Sequence, residues 1–222
     1  MVHTRSSIAV AAFFLCTLLG CGGGDGEARG PSKVVTQILS DSGFDGDIEQ
    51  TSAATFTVTQ GMSPTVQSVL AGIDPTAGSE FRAFLDFNLG GPNGVPGDAV
   101  IDSAFLEVFI NDLQPGSAQV PVLIELVDFQ PPTLLATDFD RTAQPPLAAT
   151  RISPPISQTD VGTYVPIDVT GLMVQAQRLG LADFQVRIME DLGPPIPGLI
   201  AINDSTGADR AAHAPLLTVT YF

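Results

Sequence analysis

The sequence predicts an all-β protein, a jelly-roll-like antiparallel β-sandwich with one short helix. About ten runs of strand length, rich in β-branched and aromatic residues, follow one another from Lys33 to the last residue. The 22 glycines and 18 prolines of the chain punctuate these runs. Helical spacing is clear in only one stretch. Many short strands separated by turn residues, with almost no helix, are typical of a sandwich or a barrel.

The strand runs are short and are bounded by turn residues. They lie at residues 33–39, 54–60, 66–73, 81–89, 103–111, 119–129, 163–170, 183–190, 198–204 and 216–222. Pro121 and Pro166 fall inside two of them. Since proline has no N–H to donate to a neighbouring strand, these two runs are predicted to be edge strands or to contain bulges.

Residues 81–112 are predicted to form a β-hairpin whose strands are each buried on one face. In the first strand one face is apolar and is predicted to be core: Phe81, Ala83, Leu85, Phe87 and Leu89. The opposite face is mixed: Arg82, Phe84, Asp86 and Asn88. The second strand alternates in the same way, with Ala104, Leu106, Val108 and Ile110 on one face and Phe105, Glu107, Phe109 and Asn111 on the other.

The predicted helix follows Thr170, whose hydroxyl is suited to cap its start. Four apolar residues of the next turns share one face: Leu172, Met173, Ala176 and Leu179. Gly180 is suited to the left-handed conformation that ends many helices.

The N-terminal segment has the pattern of a secretory signal. Arg5 precedes an apolar run from Ile8 to Leu19, which is shorter than the roughly 20 residues that a membrane-spanning helix needs. The end of this run, Leu-Leu-Gly-Cys, resembles the lipobox of bacterial lipoproteins, and that resemblance implies lipidation of Cys21 and cleavage before it. The predicted organisation is a signal peptide at 1–20, a lipidated cysteine with a flexible Gly-rich tether at 21–32, and one β-sandwich domain at 33–222. Gly22 in place of an aspartate favours the outer membrane. An ordinary signal peptide with a free Cys21 is the alternative.

The charge of the chain excludes several classes of partner. Removal of residues 1–20 takes away Arg5 and no acidic residue, so the predicted mature chain is one unit more negative than the full chain at −15. Nucleic acid and anionic lipid headgroups are therefore poor partners. Cys16 leaves with the signal peptide and Cys21 is predicted to be lipidated, so no disulfide or cysteine metal site is expected.

Five stretches, taken in order, resemble the DNRLRE-domain family of bacterial and archaeal surface proteins. They are residues 42–73, 81–89, 95–110, 164–188 and 213–222. The segments that carry the resemblance include FRAFLDFNL, an Ile-x-Ser-Ala-x-Leu strand, an Asp-Val-Thr segment followed by a helix, and a closing Pro-x-Leu-x-Val-x-Tyr strand. The family implies a jelly-roll-like sandwich at the cell surface, with carbohydrate binding in some members and no catalytic residue.

Candidate catalytic residues are few. His213 is the only histidine beyond the signal peptide, and Asp204, Ser205 and Asp209 precede it closely. A nucleophilic site would need such residues to form a hydrogen-bonded chain, and the sequence has no Gly-x-Ser-x-Gly elbow. A carboxylate pair that hydrolyses glycosides is the second catalytic alternative. The sequence predicts no enzyme, and an enzyme acting on glycans is the third-ranked function.

A calcium site is the candidate metal site. Asp41, Asp45 and Asp47 lie in the Gly-containing segment DSGFDGD, and carboxylate oxygens in a loop are ligands that Ca²⁺ prefers. Asp138 and Asp140 are a lesser alternative. Acidic residues are also common in ordinary turns. A structural Ca²⁺ is the only cofactor that the sequence suggests.

The predicted function is that of a non-catalytic cell-envelope lipoprotein, a structural or protein-interaction module held at the membrane by its lipid. The alternative is a carbohydrate-binding module that recognises a neutral glycan. Sugar rings stack on exposed aromatic side chains, and the chain has no tryptophan and only Tyr164 and Tyr221 as tyrosines. Tyr164 is the candidate ligand-binding residue, whereas Tyr221 ends the last strand and is expected to be packed.

Overall fold

The computed structural model describes residues 32–61, 67–129, 133–191 and 197–222. The predicted signal peptide, Cys21 and all of the tether except Ser32 lie outside the described residues. The strands are β1 (Val34–Leu39), β2 (Gly46–Gln50), β3 (Phe56–Gln60), β4 (Ser68–Ile73), β5 (Glu80–Asn88), β6 (Ile101–Gln114), β7 (Gln119–Val120), β8 (Val122–Val127), β9 (Ala148–Arg151), β10 (Ile156–Ser157), β11 (Tyr164–Asp168), β12 (Asp183–Glu190), β13 (Gly198–Asn203) and β14 (Leu216–Tyr221). The helices are α1 (Thr170–Leu179) and α2 (Arg210–His213), and short 3₁₀ turns occur at Ala136–Phe139, Gln158–Asp160 and Gly207–Asp209. Within the described segments, no helix is both long and apolar enough to span a membrane.

The strands form a curled antiparallel sheet that gives an all-β sandwich, as the sequence predicts. The order along the main path is β1-β14-β6-β13-β4-β5-β12-β8-β9. The long strand β6 belongs to both layers. Its first part pairs with β14 and β11, and its last part pairs with β13. We call β1, β14, β11 and the first part of β6 the front sheet. The back sheet consists of β13, β4, β5, β12, β8 and β9, together with β2 and β3.

The main core lies between the inward faces of the two sheets. The front sheet contributes side chains such as Leu106 and Leu217, and the back sheet contributes Leu85, Val186 and Ile124, all fully buried. Each such side chain stabilises the fold by about 1.5–3 kcal/mol through removal of apolar surface from water. Helix α1 adds Leu172, Met173 and Ala176 to the same core.

The predicted hairpin at residues 81–112 is wrong, because β5 and β6 do not pair with each other. Strand β5 pairs with β2, β4 and β12, whereas β6 pairs with β11, β13 and β14. Residues 89–100 carry the chain from the back sheet to the front sheet. Both strands bury their apolar faces in one core from opposite sides, so the alternation predicts the buried faces correctly without specifying the pairing.

Strand β5 is also buried on both faces, although the sequence predicts one solvated face. Its second face contributes Phe84 to a smaller apolar cluster, whose other members are Ile48, Val127, Phe129, Leu134 and Phe139. The segment that joins β8 to β9 supplies Phe129, Leu134 and Phe139, so this connection covers the outer face of the back sheet.

Helix α1 matches its prediction except at its first residue. Gly180 ends it in the left-handed conformation with φ of 66°. Val169 is the N-cap residue, and Thr170 is the first helical residue. The Thr170 N–H donates to Asp168 Oδ1 at 2.9 Å, and the Thr170 hydroxyl accepts the Ala104 N–H at 2.9 Å. The threonine therefore ties the helix to β6 instead of capping it.

The observed strands also differ from the predicted runs at a proline and at three short strands. Pro121 separates β7 from β8, and Pro166 lies in β11, which pairs only with β6. Pro166 thus lies in an edge strand, as predicted. Pro121 instead interrupts its run, because β8 pairs on both sides, with β12 and with β9, so the predicted edge or bulge is not found there. Strands β2, β9 and β10 were not predicted, because they are short and none has an extended alternating pattern.

Candidate functional site

The outer face of the front sheet combines exposed apolar side chains from all of its strands. Alternation turns Phe105 and Phe109 of β6 outward, while Leu106 and Val108 enter the core. We call six of the outward apolar side chains of this sheet the apolar face: Leu39, Phe105, Phe109, Tyr164, Pro166 and Leu216. Phe105 is 40% exposed and Tyr164 is 39% exposed.

Strand register brings these side chains together. Tyr164 lies opposite Phe109, and Leu39 lies opposite Leu216. Leu216 and Pro166 both lie opposite Glu107, one on each side of β6. Directly opposite residues on one face of an antiparallel pair have their Cβ atoms roughly 4.5–5.5 Å apart. The apolar face therefore contains two directly paired sets, Phe109 with Tyr164 and Leu39 with Leu216. Together with Phe105 and Pro166 they surround the Glu107 carboxylate.

Aromatic contacts hold one corner of this face in place. The Phe109 ring packs edge-on against Tyr164, with ring centroids 5.3 Å apart, and against His213, with centroids 4.6 Å apart. The Tyr164 hydroxyl donates to the carbonyl of Ala212 at 2.6 Å. Partial burial and the nearby Glu107 carboxylate raise the pKa of Tyr164 above its ordinary value. Tyr164, the predicted ligand-binding residue, is thus a fixed part of the apolar face.

His213 does not belong to a catalytic arrangement with its sequence neighbours in the described structure. None of the hydrogen bonds among the described residues joins it to Asp204, Ser205 or Asp209. Asp204 instead receives a hydrogen bond from Arg210, with 3.3 Å between Nη1 and Oδ1. The Ser205 N–H donates to Asn203 Oδ1 at 2.9 Å.

The three carboxylates of the predicted calcium site have different partners. Asp41 is exposed, and its Oδ1 accepts the N–H of Gly43 at 2.8 Å within its own turn. Asp47 is buried, and its Oδ2 accepts the N–H of Leu70 at 3.1 Å. Asp45 is buried, and its Oδ1 accepts the N–H of Asp86 at 2.8 Å. In the described parts of the chain, no group of three or more His, Cys, Asp or Glu side chains is arranged to hold a metal ion.

The structure pairs Asp45 with Asp204, a contact that the sequence did not predict. The residues are far apart in the chain, and the only sequence signal is that Asp204 follows β13 directly. Burial and the Asp204 carboxyl raise the pKa of Asp45 well above its ordinary value. Burial also raises the pKa of Asp204. Burial raises the pKa of Asp47 to about 7. All three residues line a cavity of about 10 Å³.

Asp138 and Asp140, the lesser metal candidates, stabilise turns. Asp138 Oδ2 accepts the N–H of Leu135 at 2.7 Å. Asp140 Oδ1 accepts from both the N–H and the hydroxyl of Thr142, at 2.7 and 2.8 Å, and these bonds lower the pKa of Asp140. Their oxygens are therefore engaged with local protein groups.

A second depression lies beside the segment that covers the back sheet. It has a volume of about 310 Å³ and is lined by Gln50, Phe56, Arg82, Phe139, Asp140 and Arg141. The Phe56 ring, in a residue 41% exposed, packs edge-on against Phe139 with centroids 5.4 Å apart. The Arg82 guanidinium stacks on Phe139 at 3.9 Å. We call this depression the Phe56 groove, and no pattern in the sequence predicts it.

Comparison of the chain with protein-family models and with curated proteins gives no match. The resemblance to the DNRLRE-domain family therefore stays a prediction from the quoted segments.

Proposed function

We propose that the protein is a non-catalytic, lipid-anchored module of the cell envelope that binds another protein through the apolar face. The observation that carries this proposal is the cluster of outward apolar side chains across the front sheet. Single exposed apolar residues are normal on a protein surface, whereas contiguous ones mark sites of association.

The chemistry of the face favours a partner with a basic border. Glu107 lies within the apolar face between Leu216 and Pro166, and Asp168 lies opposite Phe105. The full chain also carries a net charge of −15. Complementary charge steers association and disfavours acidic partners. We therefore infer a protein partner that presents an apolar patch bordered by lysine or arginine.

The position of the unusual acids supports a non-catalytic role. A catalytic acid or base must reach the substrate proton, directly or through one water. Asp45, Asp47 and Asp204 face a cavity of about 10 Å³. Such a volume accommodates about one water molecule, so a sugar or peptide substrate does not fit there.

The lipid anchor and an outer-membrane location belong to the same proposal and rest on the sequence around Cys21. Several acyl chains, at about 0.8 kcal/mol for each buried CH₂, give stable attachment to a membrane. The Gly-rich tether would leave the domain free to reach a partner at the membrane surface.

Site-specific photocrosslinking in intact cells of the source organism tests the interaction. The photoreactive analogue benzoylphenylalanine is introduced at position 105, and the matched control carries it at position 58, because Val58 is similarly exposed but lies on β3. We expect a discrete adduct with one protein from position 105 only. No adduct from position 105, or the same adducts from both positions, would contradict the proposal.

A glycan-binding module is the second candidate, and the Phe56 groove is the observation that favours it. An exposed aromatic ring beside amide and charged side chains offers both stacking and hydrogen bonds to a sugar. A glycan array probed with the purified protein tests this candidate. Saturable binding that Phe56→Ala removes and Phe105→Ala retains would support it, and an array without binding would exclude it for the glycans tested.

A further inference from the structure

The cavity beneath Gly46 and Gly61 contains a buried carboxylate oxygen without a partner. Asp45 is 1% exposed, and its Oδ2 has no hydrogen-bond partner. The buried Ser40 hydroxyl lies beside this carboxyl and acts on it, although it forms no hydrogen bond of normal geometry. Buried polar atoms are nearly always paired, so each exception indicates a missing group such as a water, a proton or an ion.

The neighbouring Asp204 carboxyl makes it energetically more costly to leave Asp45 Oδ2 unpaired. The Asp204 carboxyl lies close enough to Asp45 to interact through its side-chain oxygens. Two ionised carboxylates are both acceptors only, so they cannot bond to each other directly. Something positive must lie between them, either a shared proton or a cation.

The surrounding charges favour a cation. Asp47 lines the same cavity, and the exposed Asp41 acts on Asp204 as a further negative charge. Arg210 is the cation that contacts Asp204, at 3.3 Å, and it reaches only Oδ1 of that residue. In their ionised forms, which a bound cation would favour, these carboxylates are not balanced by a single guanidinium.

We propose that this cavity binds one Ca²⁺ ion, with the Asp45 and Asp204 carboxylates as its charged ligands. Calcium accepts 6–8 oxygen ligands and takes carbonyl, hydroxyl and water oxygens together with carboxylates. Two carboxylates therefore suffice as the charged part of the set. The volume of about 10 Å³ accommodates one ion or water and no larger ligand.

The site would connect two distant parts of the chain. Asp45 lies in the connection from β1 to β2, and Asp204 follows β13. Two hydrogen bonds already hold these connections to neighbouring strands, from the Asp86 N–H to Asp45 and from the Asp204 N–H to the Gln67 carbonyl. Bound Ca²⁺ would join them directly and stabilise the folded state by mass action.

Calorimetric titration of the purified protein, first freed of metal with EDTA, tests the site. We expect one Ca²⁺ per chain and a rise in melting temperature of about 5–10 °C at 100 times the dissociation constant. Mg²⁺ at the same ionic strength should give a much smaller rise, because it resists the loss of its water shell. This comparison separates binding from general screening of the acidic chain.

Asp204→Asn should weaken Ca²⁺ binding at least about 10-fold, since it removes one charged ligand. Asp209→Asn is the matched control, because Asp209 is exposed and nearby in sequence, and it should bind as the wild type does. Should Asp204→Asn fail to fold, Asp45→Asn and the wild-type titration remain. The absence of Ca²⁺ binding by the wild type up to about 10 mM would overturn the proposal and leave a shared proton between the two carboxyls.

Discussion

At the residue scale, Arg187 shows how a charged side chain becomes part of the fold. Its side chain is fully buried, and its guanidinium donates to Glu125 Oε2 from Nε and Nη2 at 2.9 and 2.6 Å. It also donates to the carbonyls of Asp138 and Gln144, at 2.6 and 3.1 Å. Arg141 binds the other oxygen of Glu125. One guanidinium thus joins β12, β8 and the segment that covers the back sheet.

Arg187→Met should destabilise the protein by about 3 kcal/mol, the low end of the range for breaking a buried ion pair, because Glu125 keeps Arg141 but loses its fully buried partner, and two carbonyls lose a donor. Urea unfolding measures the change. Arg151→Met is the matched control: Arg151 binds Asp191 at 2.6 Å with its own side chain 69% exposed, so the expected loss is about 0–1 kcal/mol. Equal effects of the two substitutions would contradict the structural role of Arg187.

Cys21 carries the prediction about the membrane anchor. Cys21→Ser should abolish incorporation of radiolabelled palmitate, because the thiol is the atom to which the lipid is joined in the lipoproteins that this segment resembles. Labelling followed by immunoprecipitation measures it, with Cys16→Ser as the control that retains the label. Labelling that survives Cys21→Ser would remove the basis of the anchor.

At the element scale, local patterns in the sequence predicted the strands and their buried faces but not their partners. The alternation in β5 and β6 identifies the core side chains, because it depends only on the pleat of each strand. Pairing depends on contacts between distant segments, and no local pattern specifies that residues 89–100 cross from one sheet to the other. For the same reason, no local pattern predicts the pair of Asp45 and Asp204, because these distant residues are brought together by the positions of β1 and β13.

Polar residues in β5 were the other source of error. Arg82 and Asp86 alternate with apolar residues, which predicts a solvated face. The segment after β8 covers that face and supplies carbonyl partners to Arg82 and to Arg187 of the neighbouring strand β12. The Phe56 groove forms at the edge of this cover, so it could not be predicted without knowing where the segment lies.

Glycine at position 72 is required by the pairing of β4 with β13. Gly72 has φ of +110°, and a Cβ atom there would overlap the carbonyl oxygen of Gly198. Gly72→Ala should therefore lower the free energy of unfolding by more than the roughly 1–2 kcal/mol of left-handed strain alone. The control is Gly78→Ala, because Gly78 has φ of +68° with open space around its Cβ position. Urea denaturation compares them, and a smaller loss at position 72 would be inconsistent with the close approach.

At the scale of the whole molecule, the sandwich separates three surfaces with different chemistry. The apolar face lies on the front sheet, the Phe56 groove lies beside the cover of the back sheet, and the acidic cavity lies at the connections after β1 and β13. The separation allows each to be altered by itself, because substitutions without shared contacts usually act independently.

The dissociation constant between the purified protein and the partner that crosslinks to position 105 decides whether the apolar face is the interaction site. We predict that Phe105→Ala weakens binding at least about 10-fold, since loss of a central aromatic contact commonly costs more than 1 kcal/mol. Phe56→Ala should leave the constant unchanged. Unchanged binding by Phe105→Ala, with weaker binding by Phe56→Ala, would show that the apolar face is not the interaction site and would place that site at the Phe56 groove.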